Sequence, residues 1–114
     1  MKELILIGAG GMGLEVLGVA INSIGYGSNF SVKGFLDDNE NADTGGEQHL
    51  GSISNYRPQV NDVFVCTVGD IKTKEALVQE VLERDGVFMS LIHKDSDVSA
   101  SVSIGEGCIV MRNA

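Results

Sequence analysis

The chain begins with the stretch Glu3-Leu-Ile-Leu-Ile-Gly-Ala-Gly-Gly-Met-Gly13, in which four aliphatic residues run directly into a glycine-rich loop. A continuous aliphatic run is typical of a parallel strand covered on both faces. The glycines have the spacing Gly-x-Gly-x-x-Gly, which between a strand and a helix predicts a phosphate-binding turn. We expect Gly8 to permit the tight turn, Gly10 to let a pyrophosphate approach the backbone, and Gly13 to allow close helix-to-strand packing.

A helix is expected directly after this loop, because apolar residues recur there at the spacing i, i+3, i+4 and i+7. These residues are Leu17, Ala20, Ile21 and Ile24. Gly25 or Gly27 can end the helix through a left-handed cap.

Strand and helix patterns continue to alternate along the chain. Val32 to Leu36 is predicted as the second strand, and Leu50 to Ile53 is either a short strand or a turn. Asp62 to Val68 is predicted as a buried strand, Ile71 to Arg84 as a helix with Asp70 at its N-cap, and Val87 to Ile92 as a further strand.

This alternation predicts right-handed βαβ crossovers and a parallel sheet with helices on both faces, which is a Rossmann-like α/β fold. We expect Leu4 to Ile7 in the middle of the sheet, in a strand order 3-2-1 or a 2-1-3 variant. A ligand would lie at the carboxyl ends of the strands, where the strand order reverses.

The end of the chain has a different repeat, a strict step of six residues. Val98, Ile104 and Val110 follow it, and Val102, Cys108 and Ala114 follow it in a second register. Such a period is typical of a hexapeptide β-helix, whose coils need neighbouring coils to bury their core. The sequence therefore predicts two parts: a Rossmann-like domain over 1–92, and the first, incomplete coils of a β-helix over 93–114.

Composition and charge exclude several classes of protein. The 114 residues have a formal net charge of −8, and the eight basic residues are scattered, which opposes binding to nucleic acid. The apolar runs are too short for a membrane span, and two cysteines without CxxC spacing indicate free thiols in a reducing cytoplasm. We expect a cytoplasmic protein without a metal site.

Polar residues follow two of the predicted strands at the edge where a ligand is expected. Asp37 and Asp38 could accept hydrogen bonds from a ribose or sugar hydroxyl, or could form a solvated Asp-Asp-Asn turn. Gly69 and Asp70 point at the same crevice, although Asp70 fits a helix cap better than a catalytic acid. Lys74 could reach a phosphate, or could be a solvated charge.

His49 and His93 are the candidates for a general base. His49 lies in a predicted loop and has no serine, cysteine or carboxylate at convincing spacing. His93 lies at the domain junction, where packing or a backbone contact would explain it. A structural role fits each of them better.

Four segments together resemble one family: the glycine loop, Gly34-Phe-Leu-Asp-Asp38, Val68-Gly-Asp70, and Leu91-Ile-His93 running into hexapeptide coils. The combination is similar to the sugar O-acyltransferase family of sialic-acid O-acetyltransferases and bacterial amino-sugar N-acetyltransferases, the NeuD/PglD type. The resemblance implies an N-terminal domain that binds a UDP-sugar or a sialic-acid-type acceptor. It also implies a left-handed β-helix that binds acetyl-CoA and forms a trimer.

Carried over by position, the resemblance places Gly10, Gly11 and Met12 against the nucleotide phosphates. Asp37 and Asp38 would lie near the uridine or ribose. Gly69, Asp70 and Lys74 would line the same crevice. The family often has His at the position of Met12 and Arg at the position of Lys74, and lysine cannot form arginine's two-pronged contact.

The resemblance also implies that the catalytic histidine lies in the β-helix beyond Ala114. We therefore expect the full-length parent to be an acetyl-CoA-dependent acetyltransferase. This chain would be its acceptor-binding domain, with no catalytic residue and no acetyl-CoA bound.

Two other functions are compatible with the glycine loop. An NAD(H)-binding regulatory or dehydrogenase domain explains the residues up to about Ile92, but not the step of six. A pure assembly module without a ligand site is the third possibility.

Overall fold

The aliphatic run near the start of the sequence forms the central strand of a parallel sheet. The computed structural model describes residues 1–92 and 109–110 of the chain. In chain order, its elements are β1 (Lys2–Ile7), α1 (Gly10–Ile21), β2 (Phe30–Leu36), β3 (His49–Gly51), β4 (Asp62–Cys66), α2 (Ile71–Glu83), β5 (Leu91–Ile92) and β6 (Ile109–Val110). The main sheet is parallel and its two core clusters contain residues of α1 and α2, so the predicted α/β, Rossmann-like class is confirmed, although β2, β3 and β4 follow one another without a helix between them.

The main sheet has the strand order β3-β2-β1-β4, with every neighbouring pair parallel. Leu4, Ile5, Leu6 and Ile7 of β1 are fully buried, as expected for its central strand. Along the chain, β1 is followed by β2 and β3, which lie on one side of β1, and then by β4, which lies on its other side. The strand order therefore reverses at β1, and the carboxyl ends of β2, β1 and β4 meet at one edge.

The sheet separates two apolar layers, because successive side chains of a strand point to opposite faces. Leu4 and Leu6 pack with Val16 and Ala20 of α1. Ile5 and Ile7 pack on the opposite face, in a cluster that includes Val81 of α2. The alternation within one aliphatic run thus builds both halves of the core.

Helix α1 ends earlier than the sequence predicts. Its last residue is Ile21, and the cap is Asn22 with a φ of −101°, so the prediction of a cap at Gly25 or Gly27 is wrong. The Ser23 hydroxyl donates to the carbonyl oxygen of Val19 at 2.6 Å, and the Asn22 amide donates to that of Gly18 at 2.8 Å. These two polar side chains satisfy the terminal carbonyls, and Ile24 lies beyond the helix and is exposed.

The predicted strand from Val87 to Ile92 is divided in the structure. Phe64 donates its N–H to the oxygen of Val87 at 2.8 Å, and Met89 donates to the oxygen of Phe64 at 3.0 Å, so this segment borders β4. Beyond it, β5 leaves the main sheet and pairs with β6. One predicted strand therefore serves two sheets.

Two other predictions concern shorter elements. The segment left open between strand and turn contains β3, a short edge strand that pairs with β2. Asp70 caps α2, as predicted.

In the described part of the chain, neither helix is long and apolar enough to cross a membrane.

Strands β5 and β6 are parallel, with Leu91 opposite Ile109 and Ile92 opposite Val110. His93 and most of the predicted hexapeptide positions lie outside the described residues. These positions are Val98, Val102, Ile104, Cys108 and Ala114.

Candidate functional site

The glycine loop is fixed at the carboxyl ends of β1 and β4 by Thr67. The Thr67 hydroxyl lies 3.0 Å from the carbonyl oxygen of Ile7 and 2.7 Å from that of Gly8. Gly8 has a φ of +101°, and a Cβ there would lie 2.7 Å from the Thr67 hydroxyl oxygen. The loop therefore needs glycine at this position, both for its backbone conformation and for its contact with Thr67.

Gly13 brings the first turn of α1 against the loop. A Cβ at this position would lie 2.5 Å from the carbonyl oxygen of Gly8 and 3.1 Å from the ring of Phe35. This is the close helix-to-strand packing that the glycine spacing predicts.

Within the described part of the chain, two N–H groups at the amino end of α1 are open to a ligand. Its N-cap, Ala9, supplies no side-chain cap; the Ala9 N–H donates to Asp37 at 2.8 Å and the Gly10 N–H to the oxygen of Asp43 at 3.0 Å. The N–H groups of Gly11 and Met12 have no acceptor within the helix. A Cβ on Gly11 would meet no atom within 4 Å. An anion can therefore approach this helix end, where the helix dipole favours negative charge.

Asp37 and Asp38 differ in their hydrogen bonding. The Asp37 carboxylate accepts from the N–H of Ala9 through one oxygen and from that of Asn39 through the other, each at 2.8 Å. Asp38 is exposed, and one of its oxygens accepts from the N–H of Ile53 at 3.2 Å. Asp37 therefore joins the glycine loop to the loop after β2, whereas Asp38 keeps an oxygen that a ligand can reach.

His49 lies beside these carboxylates at the edge of the sheet. Its Nε2 is 2.8 Å from the carbonyl oxygen of Asp37, and because a carbonyl oxygen only accepts, Nε2 is the donor. His49 lines a cleft of about 400 Å³ together with Asp37, Asp38, Glu40, Ser52 and Asn55. The structure thus places His49 in β3 rather than in a loop and gives its ring a backbone contact. Sequence reasoning did not find the cleft.

The residues after β4 lie at the same edge of the sheet, beyond β1. The Asp70 carboxylate accepts from the N–H and the hydroxyl of Thr73 at 3.0 and 2.7 Å, and these bonds hold the pKa of Asp70 below its usual value. Gly69 and Lys74 are exposed on either side of it. Burial raises the pKa of the Cys66 thiol, although the Val68 backbone and the charge of Lys74 oppose that effect.

The structure also contains a polar network that sequence reasoning missed, at the amino end of β4. Lys33 donates to the hydroxyl of Tyr56 and to Asp62, each at 2.9 Å, and Tyr56 donates to Asp62 at 2.5 Å. Burial disfavours ionisation of Asp62, but the bonds from Tyr56, Lys33 and the Gln59 N–H outweigh burial and lower its pKa. Burial also disfavours the charged form of Lys33, yet its bonds to Tyr56 and Asp62 raise its pKa overall.

The structure therefore brings most of the predicted residues to one edge. The glycine loop lies at the end of β1, Asp37 and Asp38 follow β2, and Gly69, Asp70 and Lys74 follow β4. Within residues 1–92 and 109–110, no three histidine, cysteine or carboxylate side chains are grouped so as to hold a metal ion.

Known proteins share this sequence pattern and this fold. The sequence model of the family described as "PglD N-terminal domain" matches residues 3–81. The chain belongs to the PglD N-terminal domain family. UDP-N-acetylbacillosamine N-acetyltransferase from Bacillus subtilis is 30% identical over 116 residues, covering 97% of this chain and 52% of that protein.

Solved structures give the same relationship. The acetyltransferase domain of PglB from Neisseria gonorrhoeae superposes with a TM-score of 0.81 at 28% identity, covering 98% of this chain and 54% of that chain. That domain is also known in complex with acetyl coenzyme A. Perosamine N-acetyltransferase from Caulobacter crescentus, in complex with CoA and GDP-perosamine, shares the fold with a TM-score of 0.79 at 23% identity, covering 98% of this chain and 52% of that chain. The chain thus spans about half the length of these three relatives.

Proposed function

We propose that this PglD N-terminal domain is the acceptor-binding part of an acetyl-CoA-dependent sugar acetyltransferase. The parent would transfer acetyl to an amino or hydroxyl group of a sugar or nucleotide sugar. The observation that carries the proposal is the open amino end of α1 beside the exposed carboxylate of Asp38. A diphosphate and a hydroxyl-bearing nucleoside need these two kinds of group next to each other.

The ligand follows the edge of the sheet in this proposal. Its diphosphate lies against Gly10, Gly11 and Met12, on the loop that Gly8 and Gly13 shape. Its nucleoside lies on the side of Asp37 and Asp38, where Asp38 accepts a hydrogen bond and Asp37 holds the loop. The residues after β4 border the other side, where the charge of Lys74 favours an anionic ligand. These residues are Gly69, Asp70 and Lys74.

The pairing of β5 with β6 supports a β-helix after the acceptor domain. Leu91 and Ile109 are eighteen positions apart, as are Ile92 and Val110, and eighteen is three steps of six. A coil of three hexapeptides brings such residues into parallel register with the next coil. We therefore retain the division into 1–92 and 93–114, with the second part as the start of a left-handed β-helix.

The whole protein would use acetyl-CoA and place its catalytic histidine in the later coils. The parent would assemble as a homo-oligomer, a trimer by family resemblance. Such an enzyme would act in the cytoplasm, where Cys66 remains a free thiol.

The nicotinamide alternative is less well supported by the geometry of Asp37. In a dinucleotide domain, the acid that ends the second strand accepts from the ribose hydroxyls. Both oxygens of Asp37 already accept from backbone N–H groups. A dinucleotide would have to displace bonds that hold the glycine loop to the loop after β2.

Calorimetric titration of the 114-residue chain with UDP, GDP and NADH tests the proposal. We expect a nucleoside diphosphate to bind, and Gly11→Asp to weaken that binding about tenfold or more, because it places a negative charge against the phosphates. Gly18→Asp is the matched control, since Gly18 lies on the same helix and is equally open. Tight NADH binding without a response to UDP or GDP would contradict the proposal.

A further inference from the structure

The turn formed by residues 52–56, here called the 52–56 turn, is anchored at Ile53 from two directions. Asp38 accepts the Ile53 N–H at 3.2 Å, and Nη1 of Arg84 donates to the Ile53 carbonyl oxygen at 2.7 Å. The other guanidinium nitrogen, Nη2, donates to Glu80 at 2.9 Å, so the Arg84 side chain is itself held in place. The turn is thereby joined to a proposed ligand-binding residue on one side and to the end of α2 on the other.

The far end of the turn is anchored by the polar network. The Tyr56 hydroxyl accepts from Lys33 and donates to Asp62, whose side chain is fully buried. A buried charged network fixes a tyrosine hydroxyl firmly, because its breakage would leave buried polar groups without partners. Both ends of the 52–56 turn are therefore held by charged side chains.

The turn lies between two hollows. On one side is the cleft of about 400 Å³, to which the turn contributes Ser52 and Asn55. On the other side is a hollow of about 560 Å³, lined by Asn55, Tyr56, Arg57 and Arg84 among others. Behind the turn, the Ile53 side chain is buried in a core cluster with Ile7 and Phe64, and the Tyr56 ring packs edge-on against Phe64. This packing and the polar anchors together determine how wide the cleft is.

One polar group of the turn lacks a partner within the described part of the chain. The Ser52 hydroxyl oxygen is buried there without a hydrogen bond. Such a group is costly unless it gains a partner, and rotation about χ1 is the simplest way for a serine to reach one. The cleft that Ser52 lines is where a ligand would supply that partner.

We propose that Arg84 is a positioning residue that sets the nucleobase preference of the acceptor site without touching the ligand. The inference rests on the proposed function, in which the nucleoside lies on the side of Asp37 and Asp38. It adds that the base extends toward β3 and meets the 52–56 turn. Arg84 holds the Ile53 peptide of that turn, so its bond contributes to whether a pyrimidine or a larger purine fits the cleft.

The test is the ratio of the dissociation constants for UDP and GDP in the 114-residue chain. We expect Arg84→Met to change this ratio at least fivefold, and Arg84→Lys, which retains a donor, to restore part of the change. Arg57→Met is the matched control, because Arg57 lines the same hollow and is exposed. If Arg84 only stabilised the fold, Arg84→Met would lower the melting temperature and leave the ratio unchanged.

Glu80→Gln provides a second test if Arg84→Met does not fold, because it weakens the hold on the guanidinium and keeps Arg84. A ratio unchanged in both Arg84→Met and Glu80→Gln would overturn the inference while the proposed function stands. Where Arg84→Met does not fold, an unchanged ratio in Glu80→Gln alone does so. A wild-type chain that binds neither nucleotide would overturn both.

Discussion

Gly13 and Gly18 lie on the same helix but have opposite surroundings. A Cβ at Gly13 would meet the Gly8 carbonyl oxygen at 2.5 Å, whereas one at Gly18 would meet no atom within 4 Å. We expect Gly13→Ala to destabilise the fold by about 1–3 kcal/mol through overpacking. We expect Gly18→Ala to stabilise it by about 0.5–1 kcal/mol, since alanine loses less backbone entropy. Urea unfolding measures the change in unfolding free energy for both variants. Equal changes would show that the contact with the glycine loop does not restrict the side chain at position 13.

The Asp62 carboxylate makes a stability contribution that depends on pH. Its pKa is lower in the folded chain, so the contribution is present above the unfolded value of about 3.9 and is lost as the pH falls through the folded value. We expect Asp62→Asn to cost about 1.5–3 kcal/mol at pH 7 and less as the pH falls through the folded value. The control is Glu15→Gln, an exposed residue of α1. A loss of unfolding free energy that stayed constant from pH 7 to pH 2 would contradict this account.

These two cases also show what sequence can reveal at the scale of a residue. Gly13 is predictable because its neighbour in space, Gly8, is its neighbour in the motif. Lys33 is 29 positions from Asp62 and 23 from Tyr56, and each residue taken alone resembles an ordinary solvated side chain. Such a network becomes visible only when β2 and β4 are placed on either side of β1.

Helix α2 has one favourable end and one unfavourable end. Asp70 caps its amino end through Thr73, whereas Asp85, just beyond the Arg84 cap, has a φ of +63° and places a negative charge at the carboxyl end. We expect Asp70→Ala to lower the urea midpoint and Asp70→Ser to retain most of it. We expect Asp85→Gly to raise the midpoint, because glycine adopts this conformation without strain. A lower urea midpoint for Asp85→Gly would mean that the Asp85 carboxylate has a partner in solution.

The ends of elements were harder to predict from sequence than the elements themselves. The apolar spacing of α1 continues to Ile24, but Asn22 and Ser23 bond to the carbonyls of the last turn and end the helix at Ile21. The apolar spacing indicates which face of a helix is apolar. It does not indicate where polar side chains bond to the carbonyls of the last turn and end the helix. Asp70 was predictable as a cap because its acceptor and the Thr73 donor lie three positions apart.

At the scale of the whole molecule, the sequence located one half of the candidate site better than the other. The strand order brings the glycine loop, Asp37, Asp38 and Asp70 to one edge, as the βαβ pattern predicts. The cleft and the 52–56 turn were missed, because they arise where Arg84 and Asp38, 46 positions apart, meet the same peptide of Ile53. Contacts of that range have no local signature in the sequence.

The extent of the folding unit gives a prediction for the whole chain. The family match ends at residue 81, yet Phe88 and Leu91 belong to the two core clusters, and Leu91 is fully buried. We expect a chain ending at residue 92 to fold cooperatively and one ending at residue 84 to be unfolded, because losing a large core side chain costs about 2–5 kcal/mol. In the 114-residue chain, Leu91→Ala should likewise lower the free energy of unfolding, whereas Val87→Ala, at an exposed position, should change it little. Circular dichroism with urea titration measures each, and a chain ending at 84 that kept the full midpoint would place the boundary of the unit before Phe88.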